Sequence, residues 1–351
     1  MDQRVRGIPG DGRAPDAPAG PPARIGITGI GSALPDHVLT TAELQAELTA
    51  TSGLPLPDGL LERATGIRTR RVAADDEYAS TLAVRAARRA LDAAGLDPAD
   101  IDLLLFASAS RDMAEPATAH VVQAELGTRA HALDVTNACN SFLNGIDLAR
   151  AFLMAGRGRR ALVVVGETPT RAMRRRPRDL AEFRAGFAGY TFGDAGAAVV
   201  LEPVARGGLL DLATETRSEH WRLGGIPGGG SRFPRGDEHT WFTGDGQLLR
   251  ETFEKIGPAL LDRARYHAVG EHFAHVLVHQ VTVPYLRRFA EITGIPDDRL
   301  VVTVPELGNV AAATIGVQLD RVRGSLQTGD RLLLVGLGGG VSIMTAVWEV
   351  S

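Results

Sequence analysis

Short apolar runs alternate with stretches of helical periodicity along most of the chain. In the first part the apolar runs cover 102–107, 131–136, 160–165 and 195–202. The helical patterns cover 41–50, 57–64, 79–95, 117–126 and 141–156. Each run is short and rich in leucine or β-branched residues, which is typical of buried strands. The alternation predicts an α/β protein in which a parallel sheet packs between helices.

The second part of the chain repeats this order. Helical patterns near 246–267, 282–293 and 310–327 alternate with apolar runs at 275–278, 300–304, 331–336 and 341–349. Three pairs of runs look related: 102–107 with 274–278, 132–136 with 300–304, and 161–165 with 332–335. We therefore predict an internal duplication, with one half at 24–203 and the other at 204–351. Two such halves create a cleft at their junction, a usual place for a functional site.

The N-terminal segment has a different composition. Residues 1–23 contain repeated Pro, Gly, Asp and Ala without an apolar period, which predicts a disordered tail. The segment shows no signal-peptide pattern and the chain has no run of about 18 apolar residues, so we expect a cytoplasmic protein without a membrane span. The net charge of −4 gives no indication of a nucleic-acid surface.

Two residue counts restrict the chemistry. Cys139 is the only cysteine, so an internal disulfide is impossible, a cysteine-rich metal site is excluded, and we expect no metal. Lys255 is the only lysine, and it lies beside Glu254 in a helix-like stretch, which disfavours lysine-dependent enzymes. No Gly-x-Ser-x-Gly motif occurs, which disfavours an α/β-hydrolase.

Cys139 lies where a predicted strand ends and a predicted helix begins. The free N–H groups and the dipole of a helix N-terminus favour the thiolate and so lower the pKa of a thiol. The helix that follows is apolar on nearly all sides, as expected of a central helix. These features favour a presented nucleophile over a buried structural cysteine, the commonest fate of a lone cysteine.

Three features of the second half are weaker when each is taken alone. His279 ends a strand that the duplication matches with the strand before Arg111 in the first half, so the two strand ends should face the same edge of the cleft. A single histidine is, however, more often a core residue. Asn309 follows Gly308 and precedes small residues, and it could equally cap a helix. The glycines at 336 and 338–340 lie between two strands, where N–H groups can point into a cavity as an anion hole requires. A β-bulge or tight turn is the alternative there.

Together these residues resemble a known family. The order Cys139, His279, Asn309 and the closing glycines is similar to the thiolase superfamily, specifically its ketoacyl synthase III branch. Ala-Thr-Gly-Ile-Arg-Thr-Arg-Arg at 64–71 and Phe-Gly-Asp-Ala-Gly-Ala at 192–197 match as well. The resemblance covers about residues 24–351. It implies a thiolase fold, in which two duplicated α/β halves form a five-layered αβαβα arrangement.

Within that branch, several stretches resemble the OleA-type enzymes, which condense two fatty acyl chains head to head. They are Ser-Arg-Asp-Met-Ala-Glu-Pro-Ala-Thr at 110–118, Asn-Ala-Cys at 137–139, Asn-Gly-Ile-Asp at 144–147 and Gly-Glu-Thr at 166–168. The resemblance implies that Glu115 reaches across a dimer interface into the neighbouring active site. Without the resemblance, Glu115 would be read as an acid in a surface loop.

The resemblance also implies a mechanism without a bound cofactor. Cys139 would take an acyl chain from acyl-CoA or an acyl carrier protein, with the N–H groups of Cys139 and Gly339 as the oxyanion hole. Glu115 would deprotonate a second fatty acyl-CoA, and His279 and Asn309 would stabilise its enolate. The product would be a β-keto acid of an olefin or β-lactone pathway. We expect Phe142 to shape the acyl channel.

The chain also departs from the branch, and alternatives stay open. Primer-type members carry an Arg and a Trp that clamp the CoA adenine where this chain has Ala64 and Leu60. The arginines at 171, 174–176 and 178 could instead receive CoA phosphates or an acidic carrier protein, or form a solvated loop. The alternatives are a decarboxylative synthase III that uses malonyl-ACP, a natural-product acyltransferase with an alcohol or amine acceptor, and a subunit of a heterodimer with a homologous chain. In the last alternative the chain would be a structural or supporting subunit, and the complete set of catalytic residues argues against a purely structural role.

Overall fold

A computed structural model describes residues 24–266 and 273–351 of the chain. The predicted disordered tail at 1–23 lies outside the described residues. In chain order the strands are β1 (Arg24–Ala33), β2 (Val38–Thr40), β3 (Thr69–Arg71), β4 (Leu103–Ala107), β5 (His131–Val135), β6 (Ala161–Glu167), β7 (Ala195–Val204), β8 (Gly208–Thr216), β9 (Gly224–Gly225), β10 (Thr243–Gly244), β11 (His275–Val278), β12 (Arg331–Gly338) and β13 (Ser342–Glu349). The α-helices are α1 (Thr41–Ser52), α2 (Leu60–Thr65), α3 (Ala79–Ala94), α4 (Thr118–Leu126), α5 (Ser141–Met154), α6 (Leu180–Ala185), α7 (Gly246–Tyr266), α8 (Val283–Thr293), α9 (Val304–Leu307) and α10 (Thr314–Val322).

The first sheet has five strands in the order β1-β7-β6-β4-β5. Strands β4, β5 and β6 are parallel, whereas β7 and β1 are antiparallel to their neighbours, so the sheet is mixed rather than fully parallel. Strands β4 and β6 are buried at every position. Burial on both faces explains why their sequences are continuous apolar runs rather than alternating ones.

The second sheet repeats the strand order of the first. Its order is β8-β13-β12-β11, and a bridge from Val276 to Leu300 adds one more position beyond β11. Strands β11 and β12 are parallel, and β13 and β8 are antiparallel to their neighbours, as in the first sheet. This correspondence confirms the predicted internal duplication.

Helices cover both sheets and also separate them. Helices α3 and α4 pack on the outer face of the first sheet, and α7 and α8 on the outer face of the second. Helices α5 and α10 lie between the sheets, in the largest apolar cluster. Successive residues of β4 alternate between the inner and outer clusters, as the period of a strand requires. The result is the predicted five-layered αβαβα arrangement.

Two glycines allow the central helices to approach the first sheet closely. A Cβ on Gly145 of α5 would lie 2.6 Å from the Cβ of Ala107, and one on Gly316 of α10 would lie 2.4 Å from the Cβ of Ala197. Real Cβ atoms do not approach this closely, so a side chain at either position would push the helix outward. The close packing fixes α5, whose first turn directly follows Cys139.

The predicted strand at 300–304 is wrong. Only Leu300 forms a bridge there, and Val304 already begins α9. The Gln280 side chain takes the place of a sheet neighbour, because its Oε1 accepts the N–H of Thr303 at 2.9 Å and that of Val304 at 3.0 Å. The helix predicted over 310–327 is also shorter, because 3-10 turns at 311–313 and 323–325 flank α10.

A fourth apolar cluster lies beside the sheets and forms one side of the cavity described below. It is built by α1, α2, α6 and the segment before β7, and its fully buried members include Leu44 and Leu48. Phe192 and Phe242 meet edge to face in this region, with ring centroids 5.3 Å apart. The cluster therefore supplies aromatic side chains to the cavity wall.

Candidate active site

Cys139 lies in a tight turn between β5 and α5. The preceding residue, Ala138, has a φ of 48°, a left-handed conformation that non-glycine residues rarely adopt. The turn is closed by hydrogen bonds from Asn140 N to Asn137 O at 3.0 Å and from Ser141 N to Ala138 O at 3.1 Å. Cys139 as a whole residue is half-buried at this turn and is not part of the apolar core.

Asn140 connects this turn to the second half of the chain. Its Nδ2 donates to the carbonyl oxygen and to the Oγ of Ser342, both at 2.9 Å. A Cβ on Gly336 would lie 1.9 Å from Asn140 Oδ1, so only glycine leaves room for this side chain. The contact holds the glycine loop before β13 against the turn, where the N–H of Gly339 donates a hydrogen bond to the Cys139 sulfur.

His279 directly follows β11 and is almost completely buried. Its backbone N–H donates to the Val335 carbonyl oxygen at 2.9 Å, and the ring atom Nδ1 lies 3.3 Å from the Oγ1 of Thr314. Burial lowers the pKa of His279 to about 4, although a hydrogen bond with the Ala311 backbone acts in the opposite direction. The imidazole is therefore neutral at neutral pH and can accept a proton.

Asn309 is held by its backbone between two segments. Its N–H donates to the Thr191 carbonyl oxygen at 2.8 Å, and its own carbonyl oxygen accepts the N–H of Gly193 at 3.1 Å. Gly308 has a φ of 70°, and a Cβ there would lie 2.7 Å from the Thr191 oxygen. The Asn309 Oδ1 accepts the N–H of Ala311 at 3.0 Å. This bond orients the amide so that Nδ2 is left as a hydrogen-bond donor.

A cavity of about 970 Å³ brings the predicted site residues together. Its wall includes Cys139, His279, Asn309 and Gly339. Most of the exposed surface of the wall is apolar, as is usual for small-molecule sites. The large apolar side chains of the wall are Phe187, Phe192, Leu223, Ile226, Phe242, Leu249, Phe253 and Leu337.

Unusual backbone conformations are concentrated at this cavity. In the described part of the chain, three non-glycine residues have left-handed φ values: Ala138, Ala311 and Val341. Ala138 and Ala311 line the cavity, and Val341 follows the glycine loop. Such conformations cost free energy and cluster at functional sites.

The surroundings of Cys139 hold its thiol in the protonated form. Burial and then the nearby Glu167 carboxylate raise the pKa of Cys139 to about 12, although hydrogen bonds from the N–H groups of Gly339 and of Cys139 itself act in the opposite direction. The expectation of a lowered pKa is therefore wrong. Helix α5 begins only at Ser141, so the thiol lies before the first turn, where desolvation outweighs the helix.

Glu167 is a cavity residue to which the sequence assigned no role. It ends β6, is fully buried and lines the cavity. Burial raises its pKa, although hydrogen bonds from 108–110 act in the opposite direction. The available signals were a charged residue two positions after the apolar run at 161–165, and the Gly-Glu-Thr match at 166–168.

Glu115 is exposed in the loop between β4 and α4 and does not line the cavity of its own chain. A residue that serves a neighbouring active site must project away from its own. The position is therefore compatible with the role that the resemblance implies, and that role stays a prediction.

The prediction that Phe142 shapes the acyl channel is wrong. Phe142 is in the first turn of α5, is 1% exposed and packs in the apolar layer between the sheets. Its ring lies against Gly316 of α10, where a Cβ would be 3.1 Å from ring atom Cε1. The direction of the α5 side chains places Phe142 on the core side of the helix, away from the cavity.

Most of the predicted arginine cluster is bound within the chain. Arg171 donates to the carbonyl oxygens of Ala74 at 3.1 Å and Glu77 at 2.7 Å. Other members form the ion pairs Arg174–Glu182, Arg178–Glu182 and Arg175–Glu47. These contacts favour the solvated-loop interpretation. Ala64, at the position of the missing adenine clamp, lines the cavity.

Between residues 24 and 266 and from 273 onward, no group of three or more His, Cys, Asp or Glu side chains could hold a metal ion. No helix in the same ranges is long and apolar enough to cross a bilayer.

Comparison of the sequence with known families gives two matches. Residues 133–218 match the 3-oxoacyl-[acyl-carrier-protein] synthase III family, and residues 265–350 match its C-terminal part. The chain is 34% identical over 333 residues to beta-ketoacyl-[acyl-carrier-protein] synthase III 3 of Streptomyces coelicolor, covering 90% of this chain and 94% of the relative. It is 31% identical over 333 residues to beta-ketoacyl-[acyl-carrier-protein] synthase III of Roseiflexus sp., covering 92% and 97%.

Solved structures give a similar result. OleA of Xanthomonas campestris with bound cerulenin has a TM-score of 0.84 and 29% identity, covering 93% of this chain and 97% of that one. A Cys-to-Ser variant of that protein, crystallised with lauric acid and lauroyl-CoA, has a TM-score of 0.83 and 29% identity, covering 93% and 99%. The synthase III FabH of Xanthomonas oryzae has a TM-score of 0.83 and 30% identity, covering 93% and 98%.

Proposed function

Because the chain belongs to the 3-oxoacyl-[acyl-carrier-protein] synthase III family, with the thiolase fold and acyl-transferring condensing activity of that family, we propose that it joins two fatty acyl chains without decarboxylation. The convergence of Cys139, His279, Asn309 and Gly339 on one largely apolar cavity carries this proposal. The likeness to OleA, a protein crystallised with lauroyl-CoA, supports fatty acyl-CoA as the substrate.

In the first half-reaction, the Cys139 sulfur attacks the thioester carbonyl. The thiol has a raised pKa and the imidazole of His279 a lowered one, so a free thiolate does not accumulate in the empty site. The proton therefore moves from sulfur to His279 as the C–S bond forms. The N–H groups of Cys139 and Gly339 hold the tetrahedral oxyanion. Collapse of that intermediate leaves acyl-Cys139 and releases CoA, which takes the proton.

In the second half-reaction, a second acyl-CoA loses an α-proton and becomes an enolate. Glu115 of the partner subunit is the proposed base, because a plain fatty acyl group has no carboxylate to lose. The Nδ2 group of Asn309 and the imidazole of His279 stabilise the enolate oxygen by hydrogen bonds. The α-carbon attacks acyl-Cys139, the C–S bond breaks, and a β-keto thioester forms. Cys139 leaves as a thiolate, and return of the α-proton from Glu115 restores its thiol. Hydrolysis gives a β-keto acid, a precursor suited to olefin or β-lactone formation.

This role of Glu115 requires a dimer, either of identical chains or with a homologous chain. Strand β5 is an edge of the first sheet, so its outer N–H and C=O groups are open to pairing. Two large apolar side chains of α5, Leu148 and Met154, are 49% and 45% exposed. An open edge beside exposed apolar side chains supports an interface on this side of the molecule.

Intact mass spectrometry tests the loading step. The protein is incubated with a long-chain acyl-CoA, and wild type should gain one acyl group that Cys139→Ala does not gain. Absence of the adduct on wild type, or its persistence in the variant, would exclude Cys139 as the acyl acceptor.

Product analysis then tests the base. Glu115→Ala should load normally and lose condensation by about 10²–10⁴-fold, the range typical of a general base. Glu125→Ala, an exposed glutamate on α4, is the matched control and should keep both steps. Normal condensation by Glu115→Ala would refute the assignment.

A second function is favoured by the names of the curated relatives. Both are called beta-ketoacyl-[acyl-carrier-protein] synthase III, which supports decarboxylative condensation with a malonyl-carrier protein. In that case the product requires malonyl-ACP, and Glu115 is dispensable. Supplying acyl-CoA with and without malonyl-ACP and analysing the product distinguishes the two.

A further inference from the structure

The carboxylate of Glu167 fastens the start of the loop between β4 and α4. Each oxygen accepts two hydrogen bonds from that loop. Oε1 accepts the Ala109 N–H at 2.7 Å and a share of the Ser108 Oγ–H at 2.9 Å, since that hydroxyl also donates to the Gly166 carbonyl oxygen at 2.6 Å. Oε2 accepts the Ser110 N–H at 3.1 Å and the Ser110 Oγ–H at 2.8 Å. Three consecutive residues are thus bound to the end of β6 through one side chain.

The same loop carries Glu115 farther along. Arg111 donates to the Gly229 carbonyl oxygen at 3.0 Å, and Asp112 accepts the Ser80 N–H at 3.1 Å. Residues 113–116 are exposed and make no hydrogen bond within the described part of the chain. The loop therefore has a fixed base at 108–112 and an unsupported tip that bears Glu115.

The Glu167 carboxylate has two unfavourable effects, one on its own hydration and one on Cys139 of the same chain. A buried carboxylate loses hydration, and none of the ion pairs in the described part of the chain includes Glu167. The carboxylate also opposes formation of the Cys139 thiolate. A neutral side chain would avoid both effects, so the carboxylate must contribute something else. Its four bonds to 108–110 are the contribution that the structure contains.

We propose that Glu167 is a positioning residue for condensation: it fixes the base of the 108–117 loop so that Glu115 of the same chain reaches the active site of the partner subunit. The inference rests on the proposed function, because it requires Glu115 to act across a dimer. If the proposal is correct, Glu167 acts in the chain that donates Glu115 and not in the chain that holds the acyl group.

A mixed dimer separates these two roles. Two differently tagged chains are co-expressed, one with Cys139→Ala and one with Glu115→Ala, and the mixed dimer is purified with both tags. Its one complete site combines Cys139 of the second chain with Glu115 of the first. Condensation should return in the mixed dimer and be absent in each parent dimer. A mixed dimer that loads an acyl group but does not condense would refute the proposed function itself.

Glu167→Gln is then added to either chain, since glutamine keeps the size but can accept only through one oxygen. On the Cys139→Ala chain it should lower condensation by about tenfold or more, because small misplacements of a catalytic group have effects of that order. Acyl loading of the intact Cys139 should be unchanged. On the Glu115→Ala chain the loss should be clearly smaller. Equal losses, or a larger loss on that chain, would overturn the proposal.

Two further variants complete the test. Glu202→Gln on β7 removes a carboxylate that pairs with Arg160 at 3.2 Å, away from the cavity, and should change neither step in either chain. If Glu167→Gln does not assemble, Ser110→Ala removes one donor to Glu167 and one acceptor for the Thr168 N–H. Ser110→Ala should also lower condensation more on the Cys139→Ala chain than on the Glu115→Ala chain. Equal losses on the two chains would overturn the proposal.

Discussion

Because Cys139 is protonated at rest, its thiol should react slowly with alkylating reagents. An ordinary cysteine with a pKa of about 8.5 is roughly 10% thiolate at pH 7.5. With its pKa raised to about 12, Cys139 has a thiolate fraction lower by about three and a half orders of magnitude. A more basic thiolate is a better nucleophile, with a Brønsted coefficient of about 0.4–0.5, which offsets about one and a half of those orders. The net expectation is alkylation about 10²-fold slower than that of a free cysteine.

Alkylation by iodoacetamide measures this directly. Because Cys139 is the only cysteine, each added carboxamidomethyl group in an intact mass spectrum reports on it. The rate constant should rise about tenfold per pH unit from neutrality to about pH 10 without a plateau. A short cysteine peptide, which levels off near its own pKa, is the reference. A plateau below pH 8 at a rate equal to the peptide's would show a stabilised thiolate and refute the desolvation argument.

Other consequences follow for pH and for packing. Since the pKa of His279 is lowered to about 4 and the neutral imidazole is the base, acyl loading should persist at pH 5 and decline only toward pH 4; a midpoint near 6.5 would contradict this. Gly166→Ala would place a Cβ 1.8 Å from the Ala79 carbonyl oxygen, and the urea midpoint should fall by an amount equivalent to about 1–3 kcal/mol or more. Leu48→Ala, at a fully buried position, should lower the free energy of unfolding by about 2–5 kcal/mol in the same assay; an unchanged midpoint would contradict either prediction.

Much of the fold could be predicted because its central strands, such as β4 and β6, are buried on both faces. Runs such as 161–165 have no polar alternation, and this pattern together with the intervening helices predicted a sheet between helices and the duplication. The five-layered arrangement was implied by the family resemblance. The strand predicted at 300–304 failed for a local reason. Val301 and Val304 are buried, but Gln280, from a neighbouring segment, bonds the backbone that a strand would have used. No pattern within 300–304 contains that information.

The identity of the main site residues could be predicted from the sequence, but the surroundings that set their pKa values could not. The order of Cys139, His279 and Asn309 pointed to the residues, and the structure places them around one cavity. The pKa of Cys139 was predicted in the wrong direction, because desolvation and the approach of Glu167 depend on tertiary packing. Phe142 failed similarly, since spacing from the cysteine does not reveal which side of α5 faces the core.

The hydrogen bonds from Asn140 to Ser342 have a consequence for synthesis of the protein. The cysteine is translated well before the histidine, the asparagine and the glycine loop, and those groups reach it only when the two sheets dock. A nascent chain that has folded its first sheet alone would present a sulfhydryl without a proton acceptor or an oxyanion donor. Such an intermediate would lack the groups that catalyse acyl transfer, so Cys139 becomes a catalytic nucleophile only in the finished molecule.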